Sequence, residues 1–277
     1  MKSPLVTILM PVYNGEKYLK EAIESILNQT FTDFTFLIID DCSTDKSINI
    51  IKFYKDKRIK FFINEKNIGI SKTLNVGIEN ANTKYIARMD QDDISLLNRI
   101  EEQVNFMEAN SDIGICGTWM MAFNTKNQSS LKKRPIKNAD IKVMLLFQSP
   151  IAHPTAMIRR NVFNKNNLRY DASYDGLEDY DMWERMSMVT KMENIPKALL
   201  LYRLHPDQLS RTSPSRQEKF DTIQKRQYKK LGIKKGNLSA LLSANKKHHL
   251  YNNWSLRKII YKIYYANLKT FIKKLIK

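Results

Sequence analysis

Three carboxylates crowd into four positions of the stretch YIARMDQDDISLLNR, residues 85–99: Asp90, Asp92 and Asp93. Like charges this close repel, and burying them costs several kcal/mol unless something positive compensates. The cluster therefore raises the question of which cation it holds, and for which reaction. Two other acidic pairs stand out: Asp40-Asp41 at the end of an apolar run, and Glu178-Asp179 at the head of EDYDMWERM. Each has a plainer reading. Aspartates cap turns, and an acidic first turn, here continued by Asp181 and Glu184, suits a helix N-terminus. Asp93 shares that plainer reading, because it precedes ISLLNR.

The elements that must position these groups alternate along the first half. A strand at about 5–12 leads into a helix at about 15–28, where Tyr18, Leu19, Ala22, Ile23, Ile26 and Leu27 follow helical spacing. A strand at 34–40 precedes DCSTD, whose Ser43, Thr44 or Asp45 suits the cap of a helix starting near 45. Then come a strand at 58–63, the loop NEKNIG, a helix at 71–81, a strand at 84–89, a helix at about 96–109 and an apolar stretch at 113–123. The second half is less regular. Residues 149–160 read as a loop then a strand, 174–189 as a loop then a helix, and 198–210 as a strand entering a polar loop. Strand–helix alternation implies an α/β fold, a mostly parallel sheet covered by helices. Ligands bind such sheets beyond the C-terminal strand ends. Tyr13-Asn14-Gly15, Asp40-Asp41 and the Asp90–Asp93 cluster all fall at such ends.

The chain has 277 residues, 43% of them apolar, which suits one large domain with an appendage. Two cysteines, Cys42 and Cys116, are too few for a disulfide scaffold and fit a reduced cytosol. The N-terminal MKSPLVTILMPVYNG does not read as a signal peptide, and no apolar run has the length of a spanning helix. The formal charge is +18 and unevenly placed. Residues 215–277 carry 17 Lys/Arg against Glu218 and Asp221, a balance of +15, and residues 1–214 carry the other +3. A basic tail on a nearly balanced body points to an acidic partner surface, anionic lipid or nucleic acid.

The segments VTILMPVYNGEKYLKEAIESILNQTF, LIIDDCSTD, NIG, ARMDQDD and EDYDMWERM resemble, in order and spacing, the family 2 glycosyltransferases of the GT-A fold. SPIAHPT and LYRLHPDQLS look like the bacterial branch that builds lipooligosaccharide, O-antigen or capsule. The resemblance covers about residues 4–212. It implies that Asp90-Gln91-Asp92 is a DxD motif holding Mn²⁺ or Mg²⁺ on the diphosphate of a UDP-sugar, with Asp92 on the metal and Asp90 on the ribose or the metal shell. Hard divalent cations do prefer carboxylate, phosphate and water oxygens. It implies that Asp41 binds the uracil ring and that Pro11, Val12 and Tyr13 line the nucleotide slot, with Tyr13 as plain core the alternative. Lys72 falls where a basic residue near the nucleotide is equally readable as a solvated helix lysine. Asp179 takes the place of the catalytic base, which an attacking hydroxyl requires; one base opposite the leaving group gives inversion. His205 is placed near the diphosphate or metal. His153, Glu178 and Trp183 are placed on the acceptor side, with core packing the other reading of Trp183. The QxxRW signature of processive synthases is absent, so one sugar is added per encounter.

These readings divide the chain into a catalytic domain at 1–212 and a basic helical region at 213–277. Within the tail, 247–277 mixes Trp254, Leu256, Ile259 and other apolar residues with lysines at helical spacing. That suits a helix lying on an anionic membrane, which a lipid-linked glycan acceptor would explain; packing on the domain and homodimer contact are the alternatives. The expected location is the cytoplasm, peripheral on the inner face of the cytoplasmic membrane. Two other classes compete. A sugar-1-phosphate nucleotidyltransferase would carry a glycine-rich phosphate loop, and PVYNGEKY has one glycine. A nucleic-acid-binding protein would use the basic residues, but they are confined to the tail and no recognition motif accompanies them. Nucleic acid is therefore not the expected partner.

Overall fold

The computed structural model describes residues 3–126, 128–206, 208 and 215–230. The basic, apolar segment at 247–277, including Trp254, lies outside the described residues, so its proposed membrane or dimer role stays a sequence expectation.

Nine strands among the described residues form one sheet: β1 (Val6–Val12), β2 (Phe34–Asp40), β3 (Ile59–Ile63), β4 (Tyr85–Arg88), β5 (Ile94–Ser95), β6 (Ile113–Asn124), β7 (Ser129–Lys132), β8 (Met157–Arg159) and β9 (Lys191–Leu204). Their order is β3-β2-β1-β4-β8-β6-β9-β5, with β7 paired to β6. β3, β2, β1 and β4 are mutually parallel, as are β6 and β9; β8, β7 and β5 run against their neighbours. The sheet is thus mostly parallel, as the alternation predicts.

β1 lies inside the sheet between β2 and β4 and is buried at every position, as a strand covered on both faces must be. Alternate residues serve opposite faces. Val6, Ile8, Met10 and Val12 join the core beneath α1 (Leu19–Leu27), α2 (Ser47–Phe53) and α4 (Arg99–Ala109). Leu9, with Leu37, Ile86 and Ile158, joins the other core. That core lies under α3 (Ile70–Asn80), α5 (Asn138–Met144), α6 (Arg160–Lys165), α7 (Glu178–Met186) and α8 (Arg216–Lys230). Pro11 is tolerated in this central strand because β4 pairs with β1 only as far as Leu9↔Arg88, so its missing N–H removes no ladder bond there.

α8, which follows the expected division at 212/213, packs on the body. It is helical, as predicted, but Ile223 is fully buried in the second core. Gln224 and Gln227 donate to the carbonyls of Leu146 and Leu145 at 2.9 and 2.8 Å, and Arg226 pairs with Asp181 and Glu184 on α7. The charge shift that marks a boundary in sequence falls inside the body, because charges on one helix face leave the other free to pack. No described helix is long and apolar enough to cross a membrane.

Candidate active site

Five elements deliver chemistry to one edge of the sheet: the C-terminal ends of β1, β2, β4 and β9, and the N-terminal turn of α7. At the end of β4, Asp90, Asp92 and Asp93 each place a carboxylate oxygen within 4.8 Å of the others. Burial and the charge of Asp90 push Asp92 above the usual aspartate range, a rise that His205 partly offsets. His205 Nε2 lies 2.7 Å from Asp92 Oδ2, brought there by β9. The imidazole is braced by the Tyr18 ring at 5.1 Å.

Asp93 points inward. It is fully buried, its Oδ1 accepts from Arg203 N at 2.9 Å, and burial and the two neighbouring carboxylates drive it well up. The helix N-terminus expected after Asp93 is not there, because Ile94–Ser95 is the strand β5 and α4 starts at Arg99; the buried carboxylate is held by Arg203 N instead. Arg203 also donates through Nε to the Asp92 carbonyl at 2.9 Å and through Nη2 to Glu21 at 2.7 Å. It ties the acidic loop to β9 and α1.

Gln91, the middle residue of the motif, clamps the loop to β1. Its Oε1 accepts from Tyr13 N at 2.8 Å and its Nε2 donates to Tyr13 O at 3.0 Å. This close approach needs Gly15: a Cβ there would stand 2.6 Å from Gln91 Oε1. Tyr13 leaves its ring 45% exposed at this edge, so it is not core, while Pro11 and Val12 are buried and can offer a ligand only backbone. Asn14 and Cys42, which follow β1 and β2, both take positive φ, 48° and 63°. Such strain in non-glycine residues clusters at functional sites.

Asp41 is buried, and its carboxylate receives three donors from one loop: Asn64 Nδ2 at 2.8 Å, Ile68 N at 2.9 Å and Gly69 N at 2.9 Å. An ionised carboxylate has about four acceptor positions, so roughly one remains for a ligand. Gly69 is obligatory here, with φ 85° and a would-be Cβ 2.7 Å from Asp175 Oδ2. Asp40 accepts from Ser43 N at 2.8 Å, the turn cap its position suggests. The helix expected near 45 starts at Ser47, whose N donates to Asp45 Oδ1 at 2.9 Å. Lys72 is exposed on the first turn of α3.

The second half of the site is built on α7. Asp179 Oδ1 accepts from Tyr180 N at 2.7 Å and Oδ2 from Ser149 Oγ at 2.8 Å. Burial raises its carboxyl above the ordinary value; nearby His153 opposes the rise and Glu178 adds to it. Glu178 is buried 3.4 Å from His153 Nδ1 and accepts from Gly176 N at 2.7 Å. Burial pushes its carboxyl up, but the His153 contact outweighs this and holds it low. His153 Nε2 meets the Tyr170 hydroxyl at 2.9 Å. His153 and Glu178 thus face one another behind Asp179.

Trp183 requires a correction. It is fully buried and its indole N–H donates to Ile151 O at 3.0 Å. No ring face is left for an acceptor sugar, and core packing is its role.

Arg88 joins the two halves. Its guanidinium is buried, pairs with Asp90 at 2.6 Å, and feels the charge of Glu178. Arg99 lies beneath, fully buried, donating to Pro154 O at 2.7 Å and Arg88 O at 2.9 Å, with burial pulling its pKa down to about 10. Arg88, Ser149, Tyr170 and Arg203 were not candidates from sequence. Only Arg88 carried a signal, a charge in an otherwise apolar buried strand beside three acids.

The carboxylates of Asp90 and Asp92 offer the oxygen donors that Mn²⁺ or Mg²⁺ prefers, with His205 Nε2 beside them on Asp92 Oδ2. The crowding that raises Asp92 is the kind of repulsion that a cation would relieve.

Comparison with known proteins accords with this geometry. The family model described as glycosyl transferase family 2 matches residues 7–166. An uncharacterized glycosyltransferase of Methanocaldococcus jannaschii is 40% identical over 212 residues, covering 74% of this chain and 72% of the relative. The amylovoran biosynthesis glycosyltransferase AmsE of Erwinia amylovora is 29% identical over 215 residues, covering 75% and 79%. Among solved structures, S. aureus TarS 1-349 in complex with UDP-GlcNAc superimposes with TM-score 0.66 at 19% identity, over 79% of this chain and 65% of that one. A mannosyltransferase from Pyrobaculum calidifontis in complex with GDP-Man and Mn²⁺ gives 0.59 at 13% identity, over 97% and 81%. These structures share the GT-A fold, and the chain belongs to glycosyltransferase family 2.

Proposed function

We propose that this glycosyltransferase moves a hexose or N-acetylhexosamine from a UDP-sugar to a saccharide acceptor, one sugar per encounter and with inversion. The observation that carries the reading is that Arg88 pairs with Asp90 of the acidic cluster at 2.6 Å and also feels the charge of Glu178, the neighbour of a partly buried, hydrogen-bonded Asp179. Asp92, Asp90 and His205 would hold Mn²⁺ or Mg²⁺, which supplies charge neutralisation for the departing diphosphate. Asp41, the backbone of Pro11 to Tyr13 and the Tyr13 ring would hold the nucleoside. Lys72 stands on the helix that follows the Asp41 loop.

Asp179 takes the proton of the acceptor hydroxyl. The acceptor oxygen then bonds to the anomeric carbon from the face opposite the diphosphate. The carbon–oxygen bond to the diphosphate breaks, and its electron pair leaves with the diphosphate. Burial serves this step, because a carboxylate with a raised pKa is a stronger base. His153 and Glu178 support Asp179 at the acceptor side.

The relative named for amylovoran biosynthesis supports an acceptor in bacterial surface polysaccharide. The strongly basic tail supports a lipid-linked acceptor at the anionic inner face of the cytoplasmic membrane, with a homodimer as the tail's other use. The family assignment removes the nucleotidyltransferase alternative and leaves sugar donor and glycan, rather than nucleic acid, as the partners we assign.

The test is release of UDP from UDP-Gal, UDP-GalNAc, UDP-Glc and UDP-GlcNAc with Mn²⁺, with and without EDTA. Release from one donor, abolished by EDTA, is the expected result. Release that EDTA leaves intact contradicts the metal. Turnover of GDP-sugars alone contradicts the uridine assignment.

A further inference from the structure

Asp179 keeps one contact that the proposed reaction has not used. Ser149 Oγ lies 2.8 Å from Asp179 Oδ2 and 3.0 Å from the carbonyl oxygen of Ile151. A hydroxyl has one proton and two lone pairs, so it donates to only one of these acceptors at a time. The carboxyl's other partner, the Tyr180 N–H at 2.7 Å, can only donate. It satisfies a carboxylate but cannot accept from a carboxylic acid. Ser149 can do both.

We propose that Ser149 is a two-state positioning residue for Asp179, donating to the carboxylate before transfer and accepting from the carboxylic acid after it. The proposal rests on the reading of Asp179 as the base. Before transfer, the Ser149 hydroxyl donates to Asp179 Oδ2, and the Ile151 carbonyl is still satisfied by the Trp183 indole N–H at 3.0 Å. During transfer the acceptor O–H bond breaks and its proton passes to Asp179. Afterwards Asp179 Oδ2–H donates to Ser149 Oγ, and the serine's own proton turns to the Ile151 carbonyl. No proton leaves the serine, and the one held by Asp179 returns to solvent. Both forms of the carboxyl stay hydrogen-bonded in a site where an orphaned polar group is costly.

Other charged or titratable groups act on Asp179 as well: Glu178 on the same turn, His153 and Tyr170 behind it, and Arg134 from the segment after β7. None of them is hydrogen-bonded to both the carboxyl and a second acceptor in the way Ser149 is.

The experiment compares wild type, Ser149→Ala, Ser149→Thr and Asp179→Asn by the pH dependence of kcat and by infrared difference spectra on acidification. In Ser149→Ala, kcat is expected to fall about tenfold, the equivalent of one hydrogen bond to a charged group. The acidic limb should move to higher pH while donor KM stays put, and Ser149→Thr should restore both. The carbonyl band of protonated Asp179, assigned by its loss in Asp179→Asn, should rise in frequency in Ser149→Ala. Wild-type kcat, limb and band in Ser149→Ala would overturn the proposal. Should Ser149→Ala not fold, Ser149→Cys keeps the size with a weak donor and carries the same expectations. An active Asp179→Asn would sink the base assignment itself; an inactive one beside an unaltered Ser149→Ala would sink this inference alone.

Discussion

His205 Nε2 lies 2.7 Å from Asp92 Oδ2, although 113 residues separate them. One closes β9 and the other follows β4, so the fold of the whole sheet is needed to make the pair. The imidazole lies against Tyr18, whose ring also carries the Arg203 guanidinium at 4.4 Å. His205→Ala is expected to lower turnover most at limiting Mn²⁺ and least at saturating Mn²⁺. A metal titration of activity checks this; an equal loss at every concentration would place His205 outside the metal's surroundings.

Gln91 holds the donor loop by two hydrogen bonds to the backbone of Tyr13. Gln91→Ala removes both, at a cost of about 1–3 kcal/mol in stability by the usual value of such bonds. Donor KM should rise more than kcat falls, because the clamp positions the loop and takes no proton. Gly15→Ala should do the same, since its methyl would displace the Gln91 amide. Denaturant unfolding and steady-state kinetics on the two variants check the expectation.

Asp179→Asn removes the proposed base and should cost about 10²- to 10⁴-fold in kcat. Its effect on stability has the opposite sign. The folded-state pKa of Asp179 is raised. Between the ordinary aspartate value and that raised value, the folded protein keeps a proton that the unfolded chain has lost. Stability therefore falls as pH rises through this window and stays lower above it. The variant escapes that loss, so it should melt higher than wild type at neutral pH, with the gap closing toward acid. Thermal melts across pH check it.

Trp183→Ala should behave as a core deletion, costing about 3–5 kcal/mol. Trp183→Phe should recover most of the packing but forfeit the bond to Ile151 O. Neither should change acceptor preference among the molecules that remain folded. A selective rise in acceptor KM in a fully stable Trp183→Phe would restore the sugar-stacking reading.

Much of the first half was legible because its elements are local. The apolar run FTFLIID places β2 at 34–40 as predicted, and the period-3.6 pattern places α1, α3 and α4 within a few residues. The acidic strand ends were legible for the same reason, because a parallel sheet sends its loops to one edge. Partners distant in sequence were not. Gln91 and Tyr13 are 78 residues apart, and Ser149 and Asp179 30 apart, and no spacing rule reports such pairs. Trp183 misled because it follows the acidic pair in sequence, yet on a helix its position turns it to the core with Tyr180 and Met186. Charge misled at α8, where Arg226 looks like part of a basic tail but neutralises Asp181 and Glu184 on the body.

The central claim is that the Asp90–Asp92–His205 cluster binds a divalent cation together with a uridine diphosphate. Calorimetric titration of UDP into the protein, with and without Mn²⁺, tests it most directly when repeated on Asp92→Asn. Binding strengthened by Mn²⁺ in wild type, and no longer strengthened by it in Asp92→Asn, is the expected result. UDP binding that ignores Mn²⁺, or a variant that responds to it as wild type does, would contradict the claim.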